Sequence, residues 1–533
     1  MLRLRAGREA SRVVAGDFPI QTQSICPECL GTLDGKIVER DGSVVLEKEC
    51  AEHGRFEEVL STDVEFFLRL HKLVFEDGEG VSNPQTESLA GCPKDCGLCD
   101  RHLSTPAMGI VDLTNRCNLN CPICFANANV AGYVYEVTVE QVCGMLDILA
   151  KLEPVPAACV QFSGGEPTLH PEFVRILAEA KARRFAQVQV ASNGIRFAKE
   201  PDFTRQCADA GLNIVYLQFD GLSDEVYLKT RGKALADLKL RAVENIYAAG
   251  MRTCLVPTVV RGISDHEVGA TLKYAIEHVK EITAISWQPV TFTGRIDVSE
   301  RAARRFTLAD LARELERQTG ILKMHRDWYP LSFVTPFSRL VEASTGEAML
   351  AITCHGHCGA GTFLVVNDAS KEAIPLPAFF DCEKGMGAMD KMAKALARKG
   401  VMGRIALVRA FQSLEGCYRR AEAPAGWNFQ EFLAFMNGFV DFRLKYHDNR
   451  ARRTDVEARS WRALFLAGMH FQDSYTYELD RVRRCVIQYV APNGRMYPFC
   501  SYNSGPCYRE RIEKRYGRAH AERRERKAAV EAR

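Results

Sequence analysis

The sequence predicts an α/β protein, with a partial (β/α)6 barrel preceded by a small metal-binding knuckle and followed by a cysteine-bearing C-terminal domain. Between about residues 105 and 300, short apolar stretches alternate with longer amphipathic stretches, a pattern typical of repeated βα units and a parallel sheet. The chain has 533 residues, 47% of them hydrophobic, enough for one large core or two to three smaller ones. Its 20 cysteines indicate metal binding or redox chemistry, provided that the compartment is reducing.

The barrel region is predicted to contain six strands joined by helices. The strands are Gly109–Leu113, Ala158–Phe162, Gln187–Ala191, Asn213–Phe219, Thr253–Val259 and Ala284–Gln288. Val139–Leu152 and Glu172–Arg183 carry apolar residues at helical spacing and are predicted helices between strands. Active sites of such barrels gather at the carboxyl ends of the strands, which is where functional side chains are expected.

Four segments are predicted along the chain. They are an N-terminal metal-binding region (1–76), a linker that also carries cysteines (77–104), the barrel (105–300) and the C-terminal domain (301–533). The last segment has helical stretches such as Leu308–Thr319 and Asn428–Tyr446, but its fold is not predicted.

The N-terminal segment has metal-capable residues on either side of a predicted hairpin. The string CPEC supplies Cys26 and Cys29, and the string CAEH supplies Cys50 and His53. A small β-rich knuckle of this kind needs a metal because it lacks a core of its own. Cys26, Cys29 and Cys50 are therefore predicted ligands, with the identity of a fourth left open.

The loop after the first barrel strand, TNRCNLNCPICF, has the spacing CxxxCxxC with Cys117, Cys121 and Cys124. Three thiolates on one short loop can each bind one iron of a [4Fe–4S] cluster and leave the fourth iron without a protein ligand. The alternative for this spacing alone is a structural zinc site that lacks one ligand.

Short polar or glycine-rich strings follow the next three strands and weigh against the zinc alternative. They are SGGEP, SNG and QFDG, each at the strand end where a cofactor of a barrel enzyme lies. The glycines allow close approach of a backbone to a ligand. The predicted cofactor-binding residues are Ser163, Gly164, Gly165, Glu166, Pro167, Ser192, Asn193, Gln218 and Asp220.

Together these motifs resemble those of the radical S-adenosylmethionine (SAM) superfamily. The resemblance implies that SAM chelates the open iron, that an electron from the cluster cleaves SAM, and that Cys117, Cys121 and Cys124 are the catalytic cluster ligands. It also implies a radical SAM barrel. In many members an aromatic residue precedes the third cysteine, whereas here Ile123 precedes it and Phe125 follows it.

Further cysteines indicate additional clusters. A second CxxxCxxC, in GCPKDCGLC, precedes the barrel, and two pairs in the C-terminal domain add four thiolates, enough for a complete [4Fe–4S] site if they converge. The alternative is that these are scattered core cysteines. The predicted ligands are Cys92, Cys96, Cys99, Cys354, Cys358, Cys485 and Cys500.

Longer strings resemble the tetraether lipid synthases of archaea and the membrane-spanning lipid synthases of bacteria. They include TNRCNLNCPICFANA, QFSGGEPT, LVPTVVRG, QPVTFTGR and CHGHCG. This resemblance implies two auxiliary [4Fe–4S] clusters and a rubredoxin-like mononuclear iron, whose fourth ligand is His53 or a thiolate such as Cys92. It also implies the coupling of two sp³ carbons at lipid chain termini, with a lipid substrate and ferredoxin or flavodoxin as electron donor.

The charge and the apolar pattern of the sequence limit the classes of binding partner that can be expected. The net charge of +3 gives no general reason to expect nucleic acid. No signal peptide or transmembrane helix is predicted, so the expected location is the cytoplasm, with peripheral contact at the inner face of the membrane. The basic tail Arg509–Arg533 is expected either to be a solvated helix or to contact anionic lipid headgroups.

Two alternative functions remain open at this point. The first is a radical SAM methylase acting on a pterin or another small molecule, which a polar rather than an apolar pocket lining would favour. The second is a zinc-ribbon binding module, which stoichiometric zinc without acid-labile sulfide would favour.

Overall fold

The N-terminal part of the protein forms a four-stranded antiparallel sheet covered by one helix. The computed structural model describes residues 18–75, 78, 80–346, 349–398, 401–440 and 460–519. The elements of this part are β1 (Ile20–Ile25), β2 (Thr32–Arg40), β3 (Ser43–Cys50), β4 (Gly54–Ser61) and α1 (Val64–Lys72). Asp63 caps α1 by accepting a hydrogen bond from the Phe66 backbone N–H. Phe67 of this helix packs with Val44 and Leu46 of the sheet.

The predicted barrel strands are all present, and helices lie between them. The strands are β5 (Met108–Thr114), β7 (Cys159–Gly164), β8 (Gln187–Ser192), β9 (Ile214–Gln218), β10 (Arg252–Val256), β11 (Thr258–Val259) and β12 (Ile282–Pro289). The short strand β6 (Tyr133–Val134), between β5 and β7 in the chain, is not part of this sheet. The helices are α2 (Val139–Ala150), α3 (Phe173–Ala182), α4 (Ile195–Lys199), α5 (Pro201–Asp209), α6 (Asp224–Arg231), α7 (Ala236–Ala248) and α8 (Val268–Glu277).

The C-terminal part is mainly helical but contributes strands to the same sheet. Its helices are α9 (Arg301–Arg304), α10 (Leu308–Thr319), α11 (Met324–Asp327), α12 (Thr335–Thr345), α13 (Leu376–Phe379), α14 (Cys382–Ala397), α15 (Val401–Glu415), α16 (Phe429–Val440), α17 (Leu479–Arg483), α18 (Phe499–Asn503) and α19 (Tyr508–Tyr516). These strands are β13 (Tyr329–Pro330), β14 (Gly359–Asn367), β15 (Ala373–Pro375), β16 (Trp461–Met469), β17 (Ile487–Val490) and β18 (Met496–Pro498). The short strand β19 (Arg518–Ala519) pairs instead with β6 in a separate two-stranded sheet.

The central sheet has the strand order β13-β14-β16-β12-β10-β9-β8-β7-β5-β17-β18. The strands from β17 through β5 and β12 to β16 are parallel, whereas β13, β14 and β18 are antiparallel to their neighbours. Within the described ranges no pairing joins the two ends of this order, so the barrel is open. This confirms the predicted α/β fold with a partial barrel. It also shows that C-terminal strands extend both edges of the six-stranded unit, so the division of the chain at residue 300 stays a prediction.

The two faces of the barrel strands differ in chemistry. A Cβ added at Gly109 of β5 would lie 2.3 Å from Leu149 of α2, so Gly109 faces the helices and Ile110 faces the inside. The parallel register places Gln161 of β7 and Gln189 of β8 on the same inner face as Ile110. Their outward neighbours are fully buried and apolar: Val160, Phe162, Val190, Val215, Leu217, Leu255 and Ile285. The inside of the barrel thus combines polar side chains with a small apolar cluster of Ile214, Cys254 and Val256, and the outside is the apolar layer covered by helices.

The tail region differs from its prediction. Arg509 lies in α19, is 6% exposed and pairs with Asp112 of β5 at 2.5 Å, so its role as a surface cation for lipid headgroups is wrong. Residues 520–533 of the predicted tail, and residues 441–446 of the predicted helix Asn428–Tyr446, lie outside the described residues. Among the described residues, no helix has the length and apolar character required to cross a membrane.

Candidate active site and metal centres

The three cysteines of the first CxxxCxxC motif lie on the loop that follows β5, at the carboxyl edge of the sheet. We call residues 115–125 the cysteine loop. Cys117 Sγ accepts a hydrogen bond from the Leu119 backbone N–H at 3.4 Å. Burial, and then the charges of Glu166, Cys121 and Cys124, raise the pKa of Cys117 to about 12. The three cysteines lie within eight residues of one loop, as three ligands of one cluster must.

The SGGEP turn binds the base of the cysteine loop. The Gly165 N–H donates to the Thr114 carbonyl at 2.7 Å, and the Glu166 N–H donates to the Arg116 carbonyl at 2.8 Å. A Cβ at Gly165 would lie 2.3 Å from the Arg116 carbonyl oxygen, and one at Gly164 2.2 Å from that of Thr114. Glycine is thus required at both positions because the turn packs closely against the backbone of Thr114 and Arg116. The sequence had predicted a close approach to a ligand instead.

Glu166 connects the SGGEP turn to the turn after β8. Its buried carboxylate accepts hydrogen bonds from Thr168 Oγ1 at 2.6 Å, Ser192 Oγ at 2.9 Å and the Asn193 backbone N–H at 2.8 Å. Asn193 Nδ2 in turn donates to Asn118 Oδ1 of the cysteine loop at 2.7 Å. Burial raises the pKa of Glu166, and these hydrogen bonds oppose the shift. Pro167 begins the 3-10 turn Pro167–Leu169 that follows.

On the other side of the loop, Asp220 forms a buried ion pair with Arg231 of α6. Arg231 Nε lies 2.5 Å from Asp220 Oδ2, and Arg231 Nη2 lies 2.8 Å from Asp220 Oδ1. Arg231 Nη1 also donates to the Ile123 carbonyl of the cysteine loop at 2.9 Å. Despite the opposing effect of burial, the guanidinium holds the pKa of Asp220 below its ordinary value. Gln218 Nε2 donates to Asp220 Oδ2 at 2.7 Å and completes this group.

Lys239 of α7 joins these two sides of the site. It is fully buried, and its Nζ donates to the Asn193 carbonyl at 2.6 Å and to Gln218 Oε1 at 2.8 Å. Burial lowers the pKa of Lys239 to about 7, because the cation loses its hydration. The carboxyl ends of β8 and β9 are therefore held at a fixed separation beneath the cysteine loop.

The residues after β12 hold the third cysteine. The backbones of Arg295 and Cys124 exchange two N–H···O hydrogen bonds of 2.9 Å. Gly294 has a φ of +70°, and a Cβ there would lie 2.5 Å from the Cys124 carbonyl oxygen, so this approach also requires glycine. Beyond Cys124, the Phe125 ring packs against Phe499 with centroids 5.3 Å apart.

These residues fit a [4Fe–4S] cluster with SAM. Three thiols share one short loop, as an open-iron cluster requires. The turns after β7, β8 and β9 surround that loop with buried polar groups, and all nine predicted cofactor residues lie in or next to these turns. The structure therefore brings the sequence-predicted set together around the cysteine loop.

The N-terminal sheet carries a separate metal-ligand group. Among the described residues, Cys26, Cys29, Cys50 and His53 each place one ligand atom within 4.8 Å of the others. Cys50 Sγ lies 3.4 Å from His53 Nδ1 and 4.0 Å from Cys29 Sγ. The fourth ligand of this group is thus the imidazole of His53, and Cys92 is not part of the group. Three thiolates and one histidine are a set that structural zinc binds, whereas a rubredoxin-like iron needs four thiolates.

The remaining predicted ligands are buried or partly buried cysteines, of which Cys96, Cys354 and Cys500 are buried. Burial and the adjacent Cys358 and Cys485 raise the pKa of Cys354, and burial with Cys500 and Cys358 raises that of Cys485. The four thiols of the two C-terminal pairs therefore interact with one another.

The second group is the CxxxCxxC before the barrel. Burial, then Cys92 and Cys99, raise the pKa of Cys96 well above its ordinary value, and Cys485 adds a smaller effect. The three thiols of this motif therefore interact mutually, and Cys96 lies near the first group. Binding of auxiliary clusters by these seven cysteines therefore stays a prediction.

Comparison with known proteins gives the family. Residues 111–275 match the model of the Radical SAM superfamily, and residues 18–62 match that of the HMPTM N-terminal zinc ribbon domain. A 7,8-dihydro-6-hydroxymethylpterin dimethyltransferase of Methanocaldococcus jannaschii is 36% identical over 505 residues, covering 93% of this chain and 95% of that protein. The chain belongs to the radical SAM superfamily. It is therefore a radical SAM enzyme with an N-terminal metal-binding site.

Two more distant similarities accompany this one. A GTP 3′,8-cyclase of Chlorobaculum tepidum is 27% identical over 234 residues, covering 43% of this chain and 68% of that protein. The crystal structure of Streptococcus suis SuiB bound to S-adenosylmethionine matches 40% of this chain and 47% of that chain, with 18% identity and a TM-score of 0.33.

The comparisons overturn the predicted lipid chemistry. The relative that is 36% identical over 93% of this chain is a pterin dimethyltransferase. The predictions of a lipid substrate, of coupling between lipid chain termini and of membrane contact are therefore wrong. The pterin alternative is the one that agrees with this relative. The zinc-ribbon module is confirmed only as one part of the chain, residues 18–62, and not as the whole protein.

Sequence analysis missed the residues that hold the cysteine loop from below, namely Arg231, Lys239 and Arg295. Arg231 pairs with Asp220, Lys239 donates to two neutral oxygens, and the Arg295 backbone pairs with that of Cys124. Contacts of this kind between residues distant in sequence give no local pattern. One available signal was overlooked: several barrel strands alternate polar and apolar residues, as in VQFS, QVQV and ISWQ. Strands of a parallel sheet covered on both faces are normally continuous apolar runs, so this alternation indicates a polar interior.

Proposed function

We propose that the chain is a radical SAM methyltransferase that acts on a reduced pterin. The observation that carries this proposal is the 36% identity to the pterin dimethyltransferase, which extends over 93% of this chain and 95% of that protein. An alignment of that extent includes the metal-binding sheet, the barrel and the C-terminal strands, and not only the common radical SAM core.

The lining of the barrel supports a polar substrate. Inward-facing side chains include Asp112, Ser163, Tyr216 and Gln288, and the last three are partly accessible from the inside. Amides, hydroxyls and carboxylates can form further hydrogen bonds with the donor and acceptor groups of a pterin ring, whereas an alkyl chain offers them none. A site that binds hydrogen-bonding groups discriminates strongly against ligands that lack them.

The cofactors have assigned positions within this proposal. Cys117, Cys121 and Cys124 hold the [4Fe–4S] cluster, and the turns containing Glu166, Asn193 and Asp220 bind and orient SAM. When bound, the cluster and SAM supply a 5′-deoxyadenosyl radical that abstracts hydrogen from carbon. The chain's own residues keep the cysteine loop at the mouth of the polar barrel, where a substrate carbon is within reach.

We assign the other metal-capable groups as follows. The set Cys26, Cys29, Cys50 and His53 binds structural zinc, which stabilises a small sheet with few core residues. The two thiol groups near the barrel hold auxiliary [4Fe–4S] clusters. The first has the ligands Cys354, Cys358, Cys485 and Cys500, and the second has Cys92, Cys96 and Cys99.

The test is turnover by anaerobically prepared, reduced enzyme with SAM and 6-hydroxymethyl-7,8-dihydropterin. We expect one SAM to give 5′-deoxyadenosine and methionine, and mass spectrometry to show the pterin gaining one or two methyl groups from a separate one-carbon donor, for which a second SAM that leaves as S-adenosylhomocysteine is the first to be tested. Omission of the pterin and the Cys121→Ala variant are the controls. Slow 5′-deoxyadenosine release that the pterin does not accelerate, with no methylated product, would contradict the proposed substrate.

A further inference from the structure

Tyr216, Ser286 and Gln288 form a hydrogen-bonded group on the inner face of the barrel. Tyr216 OH donates to Ser286 Oγ at 2.7 Å, and Gln288 Nε2 donates to Tyr216 OH at 3.3 Å. The alternate residues on the same strands, Leu217 and Trp287, are completely buried on the outer face. The group therefore belongs to the inside wall and not to the packed layer beneath the helices.

The Tyr216 ring must lie along the sheet. Strand β10 separates β9, which carries Tyr216, from β12, which carries Ser286, so the side chain spans two interstrand spacings of about 4.8 Å each. It passes over Cys254, the residue of β10 in register with Tyr216, and packs with Cys254 and Ala284. A thiol and a methyl group are small enough to leave room for the ring.

This arrangement presents one aromatic face and one amide to the interior. The Tyr216 ring and the Gln288 side chain are partly accessible, and burial raises the pKa of Tyr216, so its hydroxyl stays neutral and able to donate. A flat heterocycle stacks favourably on an aromatic ring. The amide of glutamine offers both a donor and an acceptor to the edge of such a heterocycle.

The group also lies next to the cysteine loop. Gln288 is in register with Thr258 of β11, and Thr258 Oγ1 accepts a hydrogen bond from Arg231 Nη2 at 2.8 Å. Arg231 is the residue that binds the Ile123 carbonyl of the cysteine loop. A ligand on this wall is thus adjacent to the edge of the barrel where SAM is cleaved.

We infer that Tyr216 and Gln288 form the substrate-binding wall, on which a flat, nitrogen-rich bicyclic ring stacks and pairs its amide-like edge with Gln288. This inference rests on the proposed function and names the residues that recognise its substrate. Ser286 holds the Tyr216 hydroxyl, which in turn orients the Gln288 amide. Gln288 makes the pairing contact, and Tyr216 supplies the stacking surface.

The test is titration of the anaerobic, cluster-loaded enzyme, with SAM present, by 6-hydroxymethyl-7,8-dihydropterin in a calorimeter. Gln288→Leu is expected to raise the Kd for the pterin about tenfold, because one hydrogen bond is lost and the ring edge is left unpaired. Tyr216→Phe keeps the ring but releases the amide, and is expected to raise the Kd severalfold. Gln206→Leu, on the exposed surface of α5, is the matched control and is expected to bind as wild type does.

The outcomes separate the two proposals. If wild-type enzyme binds the pterin and both variants bind it equally well, the assigned wall is wrong while the proposed function stands. If wild-type enzyme does not bind the pterin at all, the proposed function fails, and this inference fails with it. Tyr216→Phe is conservative in shape, so it decides the question even if Gln288→Leu does not fold.

Discussion

Replacing Arg231 with methionine is expected to loosen the side of the cysteine loop that carries Cys121 and Cys124. The guanidinium forms a two-point ion pair with Asp220 and also donates to the Ile123 carbonyl at 2.9 Å. Methionine retains an unbranched stem of similar reach but provides no donor. The variant therefore removes the guanidinium's part of the connection between the end of β9 and the loop, and leaves the link through Thr230, which donates to Asp220 at 2.9 Å and accepts from the Ile123 N–H at 3.3 Å.

The magnitude follows from the burial of the pair. The side chain of Asp220 is 0% exposed and that of Arg231 is 10% exposed. Removing one member of such a pair leaves an uncompensated charge in the interior, at a cost of about 3–5 kcal/mol. Because about 1.4 kcal/mol corresponds to a factor of ten, local opening should become about a hundred to several thousand times more frequent.

Hydrogen exchange measured by mass spectrometry detects this change where it occurs. Two-state global unfolding is not expected for a large metalloprotein. Amide exchange nevertheless measures the free energy of local opening. Peptides covering residues 117–125 and 256–260 should exchange faster in Arg231→Met, because the Thr258 N–H donates to Asp220 at 3.1 Å. Arg205→Met is the matched control, since Arg205 forms an exposed pair with Asp202 on α5.

A double variant sharpens the test. In Asp220→Asn with Arg231→Met both charges are absent, so exchange is expected to be slower than in Arg231→Met alone. Equal exchange in the single and double variants, or wild-type exchange in Arg231→Met, would refute the assignment of Arg231 as the residue that ties the loop to the sheet.

Three further outcomes are expected. Cys121→Ala should abolish 5′-deoxyadenosine release, because two thiolates do not hold the open-iron cluster; release at the wild-type rate would overturn its assignment. His53→Ala should lower the zinc content and the melting temperature, while His53→Cys, which restores four ligands, should retain metal; equal zinc in all three proteins would exclude His53 as a ligand. Cys500→Ala should reduce iron and sulfide content yet leave SAM cleavage detectable, since Cys500 is a proposed ligand of an auxiliary cluster. A complete loss of cleavage would instead indicate that Cys500 is needed at the SAM-binding cluster.

The agreement between sequence and structure is closest where the information is local. Strands such as Gly109–Leu113 and helices such as Val139–Leu152 follow from periodicity, and the structure places β5 at Met108–Thr114 and α2 at Val139–Ala150. The cysteine loop follows from spacing alone, because three ligands on one loop need no tertiary information to be recognised. The same holds for the glycines of the SGGEP turn, although their partner in the structure is the backbone of Thr114–Arg116.

The prediction of a lipid substrate failed for an identifiable reason. It rested on strings such as CHGHCG and QPVTFTGR, of which QPVTFTGR runs from Gln288 on the inner wall to Arg295 beside Cys124, so most of its residues lie near the cysteine loop. The residues that we propose face the substrate are single inward positions on separate strands, for example Tyr216 and Gln288. Their identity was visible in the sequence, but their common location was not.

The sequence by itself determined the chemistry that begins the reaction, since the thiols of Cys117, Cys121 and Cys124 and the glycines beside them are local and specific. Only the tertiary structure decided which distant groups complete each site. It placed His53 with three cysteines, Lys239 between two strand ends and Arg509 beside Asp112 of β5. The physical reason is that parallel strands bring side chains together through register and burial, and these depend on how the whole chain packs rather than on any short stretch of it.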